Sequence, residues 1–164
     1  MDGAPAGFCS DVSGARAAGV AFARLNEGLV GLDPHAAGAA WRAMAADASA
    51  EALVADVVAR LARLRETWPP GALTYRVAPL AVRATAVSAT EVDVDVWYVG
   101  VVAGAGIATY EEWVTDSYRL VWERDDWRVA AFSDAPGPRP APGYQPADDP
   151  AALEARLAGF DPVA

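Results

Sequence analysis

The sequence predicts an α+β domain in which three N-terminal helices pack on a curved antiparallel sheet of four strands. Three observations carry this. The stretch from Thr90 to Ser133 alternates apolar and polar residues as three consecutive strands would, and four of the six tryptophans (Trp97, Trp113, Trp122 and Trp127) lie in it. Upstream, apolar residues recur at spacings of three and four, with Trp41 and Trp68 in those helical patterns. At 164 residues and with a single cysteine, the chain is the size of one domain that can bury a core without disulfides.

Each element can be justified in order. Residues 1–10 are mostly small and read as a flexible leader, with Asp11 and Ser13 offering N-cap chemistry to the first helix. In that helix Ala15, Ala18, Phe22, Leu25 and Leu29 form a narrow apolar stripe, ended by Gly28 and Gly31. Asp33-Pro34 pairs an N-cap residue with a proline at the first helical position and opens a second helix, which turns Ala37, Ala40, Trp41 and Met44 to the core. Ser49 begins a third, with Leu53, Val57, Leu61, Leu64 and Trp68 on one face, and Pro69-Pro70-Gly71 stops it.

From Leu73 to Val87 the composition turns β-branched and aromatic. Pro79 lacks a ladder donor, which places this first strand at the sheet edge or gives it a bulge. Glu91, Asp93 and Asp95 then oppose Val92, Val94 and Val96, the pattern of a half-buried strand. Gly100 to Gly106 reads as a small-residue tip; it matches no phosphate-binding glycine motif. In the third strand Val114, Tyr118, Leu120 and Trp122 share a parity that Asp116 interrupts, for which a bulge would account. The tight polar link Glu123-Arg124-Asp125-Asp126 makes a hairpin with a strand holding Trp127, Val129 and Ala131. The domain proper thus spans 11–133. Residues 134–164 form a proline-rich tail, extended from Asp134 to Pro150, with a short helix at Ala151 to Ala158 whose Leu153 and Leu157, with Phe160, can dock on the body.

Charge narrows the partners. The net charge is −9, and the 13 basic residues are all arginine and dispersed, so the chain carries no footprint for nucleic acid or anionic lipid. No apolar run is long enough to cross a membrane and no signal peptide is visible, so membrane association is expected only through an anchor that this sequence does not contain.

Chemistry-bearing residues are sparse. His35, the single histidine, sits in a helix first turn, and Cys9 lies in the leader; neither has the neighbours that a triad or a metal site requires, and no metal or cofactor is expected. Asp93 and Asp95, ~7 Å apart on one strand face, are read as a solvated face rather than a cation site, and Asp125-Asp126 as turn chemistry. No catalytic residue is assigned. The alternative is Asp116 with Tyr118: the parity of Asp116 could aim it inward, where burial would raise its pKa and suit it to acid–base work. A bulge, or pairing with Arg76 or Arg83, is the competing explanation. Tyr75, Tyr98 and Tyr118 are candidates for a pocket lining, against the commoner role of strand aromatics as core.

Over about Asp11 to Ser133 the chain resembles the cone-shaped nuclear-transport-factor-2-like (cystatin-like) superfamily. Within it, the pattern formed by Trp113, Thr115, Tyr118, Leu120, Trp122 and Trp127-Arg128-Val129, followed by Pro136-Gly137-Pro138, is similar to extracytoplasmic domains from conjugative elements of Gram-positive bacteria. Those domains resemble the bitopic scaffold subunit of type IV secretion systems. The resemblance implies a non-catalytic assembly domain whose partners are other subunits of a transfer complex; the edge strand near Pro79 and the proline-rich segment from Pro136 to Pro146 are surfaces suited to such docking and to weak homo-oligomers. It implies an extracytoplasmic location for an anchored parent; without an anchor the expectation is cytoplasmic. The same superfamily houses SnoaL-like polyketide cyclases, ketosteroid isomerases and dehydratases, and the alternative reading is therefore a small-molecule enzyme or binding protein with its pocket inside the cone. A deep pocket with two or more polar groups around Asp116 would favour the latter, and a cone filled by Trp, Tyr and Leu the scaffold.

Overall fold

A computed structural model describes residues 5–68, 72–104, 107–142, 146 and 148–163. Helices α1 (Val12–Leu29), α2 (Pro34–Met44) and α3 (Ala50–Thr67) precede strands β1 (Leu73–Ser88), β2 (Glu91–Gly104), β3 (Ile107–Glu123) and β4 (Asp126–Pro136), followed by α4 (Pro150–Leu157) and β5 (Asp161–Pro162). The expectation of four strands is corrected: among the described residues the antiparallel sheet has five, in the order β4-β3-β2-β1-β5, and the fourth helix is the one expected in the tail. The added strand pairs Asp161 and Pro162 with Val82 and Ala81 of β1. Two residues, one of them proline, carry no alternation to read, and only their arrival beside β1 makes them a strand.

The helix starts follow from local chemistry. The Asp11 carboxylate accepts the Gly14 N–H at 2.7 Å, and Asp33 accepts those of His35 and Ala36. At the C-terminal end of α2, the guanidinium groups of Arg128 and Arg124 donate to the Ala43 and Ala45 carbonyls, where the helix dipole favours a cation. Helix α1 lies across β1 and β2, and its approach is close: a Cβ on Gly19 would stand 2.6 Å from Val94 Cγ1. Helix α2 packs on α3 and reaches β4 through the tilted Trp41–Phe132 ring pair, 5.0 Å apart. The core of Phe22, Trp41, Met44, Val57, Leu61, Val92, Val94, Val96, Tyr118, Leu120, Trp127 and Val129 packs between helices and sheet. Pro69–Gly71, read as the stop of α3, lie outside the described residues.

Strand β1 realises both effects expected of Pro79. It lies outermost beyond β2 except where β5 joins, and its register slips between Pro79 and Ala81. The carbonyl of Leu80, released by the bulge, accepts the Val163 N–H at 2.9 Å. Gly100 to Gly104, read as part of a loop tip, instead belong to β2 and pair with β3. The β3–β4 link is a two-residue turn with φ of 55° at Arg124 and 56° at Asp125, the left-handed pair that matches the twist of a tight hairpin.

Both ends of the chain are tied to the body. Residues 5–10, expected as a flexible leader, run against the hairpin: the buried Asp126 carboxylate accepts the Gly7 N–H at 2.8 Å, and the Trp127 indole donates to the Cys9 carbonyl at 2.8 Å. Phe8 meets the Phe22 ring edge-on. Trp127 thus has partners on the leader and on Trp122, 5.4 Å away. At the other end, Gly137 donates to the Trp113 carbonyl and Pro138 accepts from the Trp97 indole, so the proline-rich segment crosses the outer face over the stacked Trp97 and Trp113. Arg156 of α4 holds Asp148 and the Pro136 carbonyl.

Candidate functional site

Between the helices and the inner face of the sheet lies a cavity of about 430 Å³, within the range of small-molecule sites. Helices α1 and α3 contribute Leu29, Val57, Leu61 and Leu64, and aromatic side chains from α2, the end of α3 and the sheet complete an apolar wall. Asp116, on β3, is at its floor and has no exposed surface.

The inward aim of Asp116 follows from strand parity. Strand β3 pairs with β2 without interruption from Val102↔Tyr110 to Glu91↔Val121, with Asp116 opposite Val96. The bulge expected near Asp116 is absent from this ladder. The irregularity lies further on, between Arg119 and Leu120, where β3 meets β4. The proposed arginine partners are also engaged elsewhere: Arg83 with Asp95, Arg76 with Glu27. Instead three neutral donors serve the carboxylate. Asn26 Nδ2 and the Tyr118 hydroxyl each donate to Oδ2 at 2.9 Å, and the Tyr98 hydroxyl donates to Oδ1 at 3.3 Å.

Burial and hydrogen bonding pull the carboxyl in opposite directions. Removal from water favours the neutral acid, and the Asp134 carboxylate on β4 adds to this; the bonds from Tyr118, Tyr98 and Asn26 favour the anion. Burial is the larger effect, and the pKa is pushed up to about 7. Burial also holds the Tyr75, Tyr98 and Tyr118 hydroxyls above their usual range, so all three remain proton donors near neutrality. Tyr75 donates to Glu112 Oε1 at 2.7 Å and is hydrogen-bonded with Tyr98, which carries the polar line across three strands. A Cβ on Gly100 would stand 2.6 Å from the Tyr75 hydroxyl, so glycine there leaves the ring its place.

The structure thus joins Asp116, Tyr98 and Tyr75 on the cavity wall, while Tyr118, expected there too, does not line the cavity and touches the site only through its bond to Asp116; the other candidates lie outside it. His35 is exposed, its backbone N–H capped by Asp33; Cys9 is exposed in the leader. Asp93 meets Arg119 at 2.8 Å, and Asp95 accepts from Arg83 and from Ser117, so both carboxylates belong to ion pairs on the outer face. Asp125 is in the turn, whereas Asp126 anchors the leader. Among the described residues no cluster of three His, Cys, Asp or Glu side chains is placed to hold a metal. Asn26, Glu112 and the Arg60–Asp134 pair escaped the sequence reading. Asn26 had a signal: four residues after Phe22, it is a polar side chain on an apolar stripe.

No protein-family model matches the chain, and no curated protein matches it. Among solved structures it is similar to the intermembrane space region of chloroplast protein ARC6, at 16% identity and a TM-score of 0.36, covering 70% of this chain and 97% of that one. A likeness at that score carries no argument about fold or role. Among the described residues no helix is long and apolar enough to cross a membrane.

Proposed function

We propose that this chain is a small-molecule protein whose cavity binds an apolar ligand and exchanges a proton with it through Asp116. The carrying observation is the cavity of about 430 Å³ that ends on a buried carboxyl with three neutral donors. A group with a pKa of about 7 is poised to give or take a proton near neutrality, and tyrosine hydroxyls beside it supply hydrogen bonds to developing charge. This favours the alternative that the resemblance to SnoaL-like cyclases and ketosteroid isomerases implies.

The reading as an assembly domain of a conjugative transfer complex draws on the sequence resemblance, a catalytically sparse sequence and two contact surfaces. In part both are used within the chain: β5 occupies β1 at Ala81 and Val82, and Gly137 and Pro138 are bonded to β3 and to Trp97. That reading retains the sequence resemblance as its support.

The test is an NMR titration of the purified protein with cyclic ketones, phenols and amines of one or two rings. Saturable shifts should concentrate at Asn26, Tyr98, Val102, Asp116 and Phe132, and Leu61→Trp, which fills the cavity, should remove them. Shifts scattered over the surface, or untouched by Leu61→Trp, count against a ligand site. Turnover of a generic carbon acid such as 5-nitrobenzisoxazole, lost in Asp116→Asn, would establish that the carboxyl reaches the ligand.

A further inference from the structure

The charges on the cavity wall select among ligands, an argument that rests on the cavity being a ligand site as proposed above. Three carboxyl groups line it, Glu112, Asp116 and Asp134, and one cation, Arg60. Arg60 is ion-paired twice: its Nη1 lies 2.6 Å from Asp134 Oδ1 and its Nε 2.7 Å from Asp56 Oδ2. Among the described lining residues the one positive charge is therefore shared between two carboxylates, while Glu112 and Asp116 have only neutral partners among the hydrogen bonds described. The remaining wall is rich in aromatic faces: Trp41, Trp68, Tyr75, Tyr98, Tyr110 and Phe132.

Once ionised, two acids without a cationic partner beside aromatic side chains repel a carboxylate, and a neutral ligand leaves them without a counter-charge. A cation is stabilised twice, by the carboxylates across a medium of low dielectric and by the ring faces, as in aromatic cages for ammonium groups. We infer that the cavity takes an apolar organic cation, an amine or quaternary ammonium carried on a hydrophobic ring, with its charged nitrogen toward Asp116 and Glu112. The net charge of −9 favours the approach of the same class.

Charge balance links binding to protonation. Around Asp116 stand Tyr118 and Glu112 of its own strand, Tyr98 of β2 with Tyr75 of β1 behind it, Asp134 of β4 with its Arg60 from α3, and the uncharged Asn26 of α1. The cation thus favours the ionised carboxyl, and below neutrality binding releases the Asp116 proton to the solvent. Affinity for the cation rises with pH until Asp116 is already ionised.

The experiment compares three probes of one shape by calorimetry: benzyltrimethylammonium, its carbon isostere neopentylbenzene, and phenylmethanesulfonate. At pH 8 the cation should bind at least tenfold tighter than the isostere and the anion should not bind. The advantage should shrink by pH 5.5 and in Asp116→Asn, with Glu112→Gln removing a further part. Equal or tighter binding of the isostere, or binding of the anion, overturns the assignment of charge while leaving the cavity as a ligand site. A cation preference that survives both Asp116→Asn and Glu112→Gln is attraction to net charge and overturns it equally. Failure of all three probes at millimolar concentration sinks this inference together with the ligand-site reading.

Discussion

Replacing Asp116 with asparagine should remove a large pH dependence from the stability of the fold. The folded carboxyl has its pKa raised from the ordinary 3.8 to about 7. Below pH 3.8 folded and unfolded chains both hold the proton, and the group contributes no difference. Between 3.8 and 7 the folded chain binds a proton that the unfolded chain has released, so stability falls as pH rises, and above 7 the full cost of the buried anion is present. At ~1.4 kcal/mol for each pH unit the interval is worth ~4 kcal/mol, a substantial part of the ~5–15 kcal/mol that holds a domain together. Asparagine keeps the shape and cannot ionise. Urea unfolding of both proteins from pH 4.5 to 8 should therefore show the stability of Asp116→Asn rising relative to the parent by ~3 kcal/mol across that range. Other carboxylates titrate in both proteins and cancel in the difference. Any constant offset from the new amide among Tyr98, Tyr118 and Asn26 drops out as well. Two curves that stay parallel within ~0.5 kcal/mol, where a ~3 kcal/mol divergence is due, would refute the claim that burial outweighs the three hydrogen bonds.

Other outcomes can be checked by the same unfolding measurements. Trp127→Ala removes a side chain that is 1% exposed and should cost ~3–5 kcal/mol, whereas the half-buried Trp122 should cost less. Gly19→Ala forces a Cβ to within 2.6 Å of Val94 Cγ1 and should destabilise by ~1–3 kcal/mol; an unchanged midpoint would mean that α1 stands further from the sheet. Asp125→Gly relieves a left-handed residue in the hairpin turn and should stabilise by a few tenths to ~1 kcal/mol after the entropy of the freer chain is offset. His35→Ala, at an exposed position whose backbone alone is used, should leave stability within ~0.5 kcal/mol of the parent and ligand binding unchanged.

Much of this molecule is written in short-range pattern. The stripes of α1, α2 and α3, the caps Asp11 and Asp33, the stagger of β2 and the turn at Arg124-Asp125 depend on residues within a few positions of one another, and their periods and capping chemistry can be read along the chain. The inward aim of Asp116 belongs with them, since it shares the parity of Tyr118, Leu120 and Trp122 and no bulge breaks the β2–β3 ladder there. What came only with the folded chain are meetings between distant segments: Asn26 reaching Asp116 across 90 positions, Gly7 reaching Asp126 across 119, and β5 completing the β1 edge. The cavity is of the same kind, because its volume is what α1, α3 and four strands leave unfilled when they dock. A residue's periodicity constrains which way it faces, but the identity of its neighbours is set by chain closure over long loops, and nothing local in Asn26, Glu112 or Asp161 encodes that.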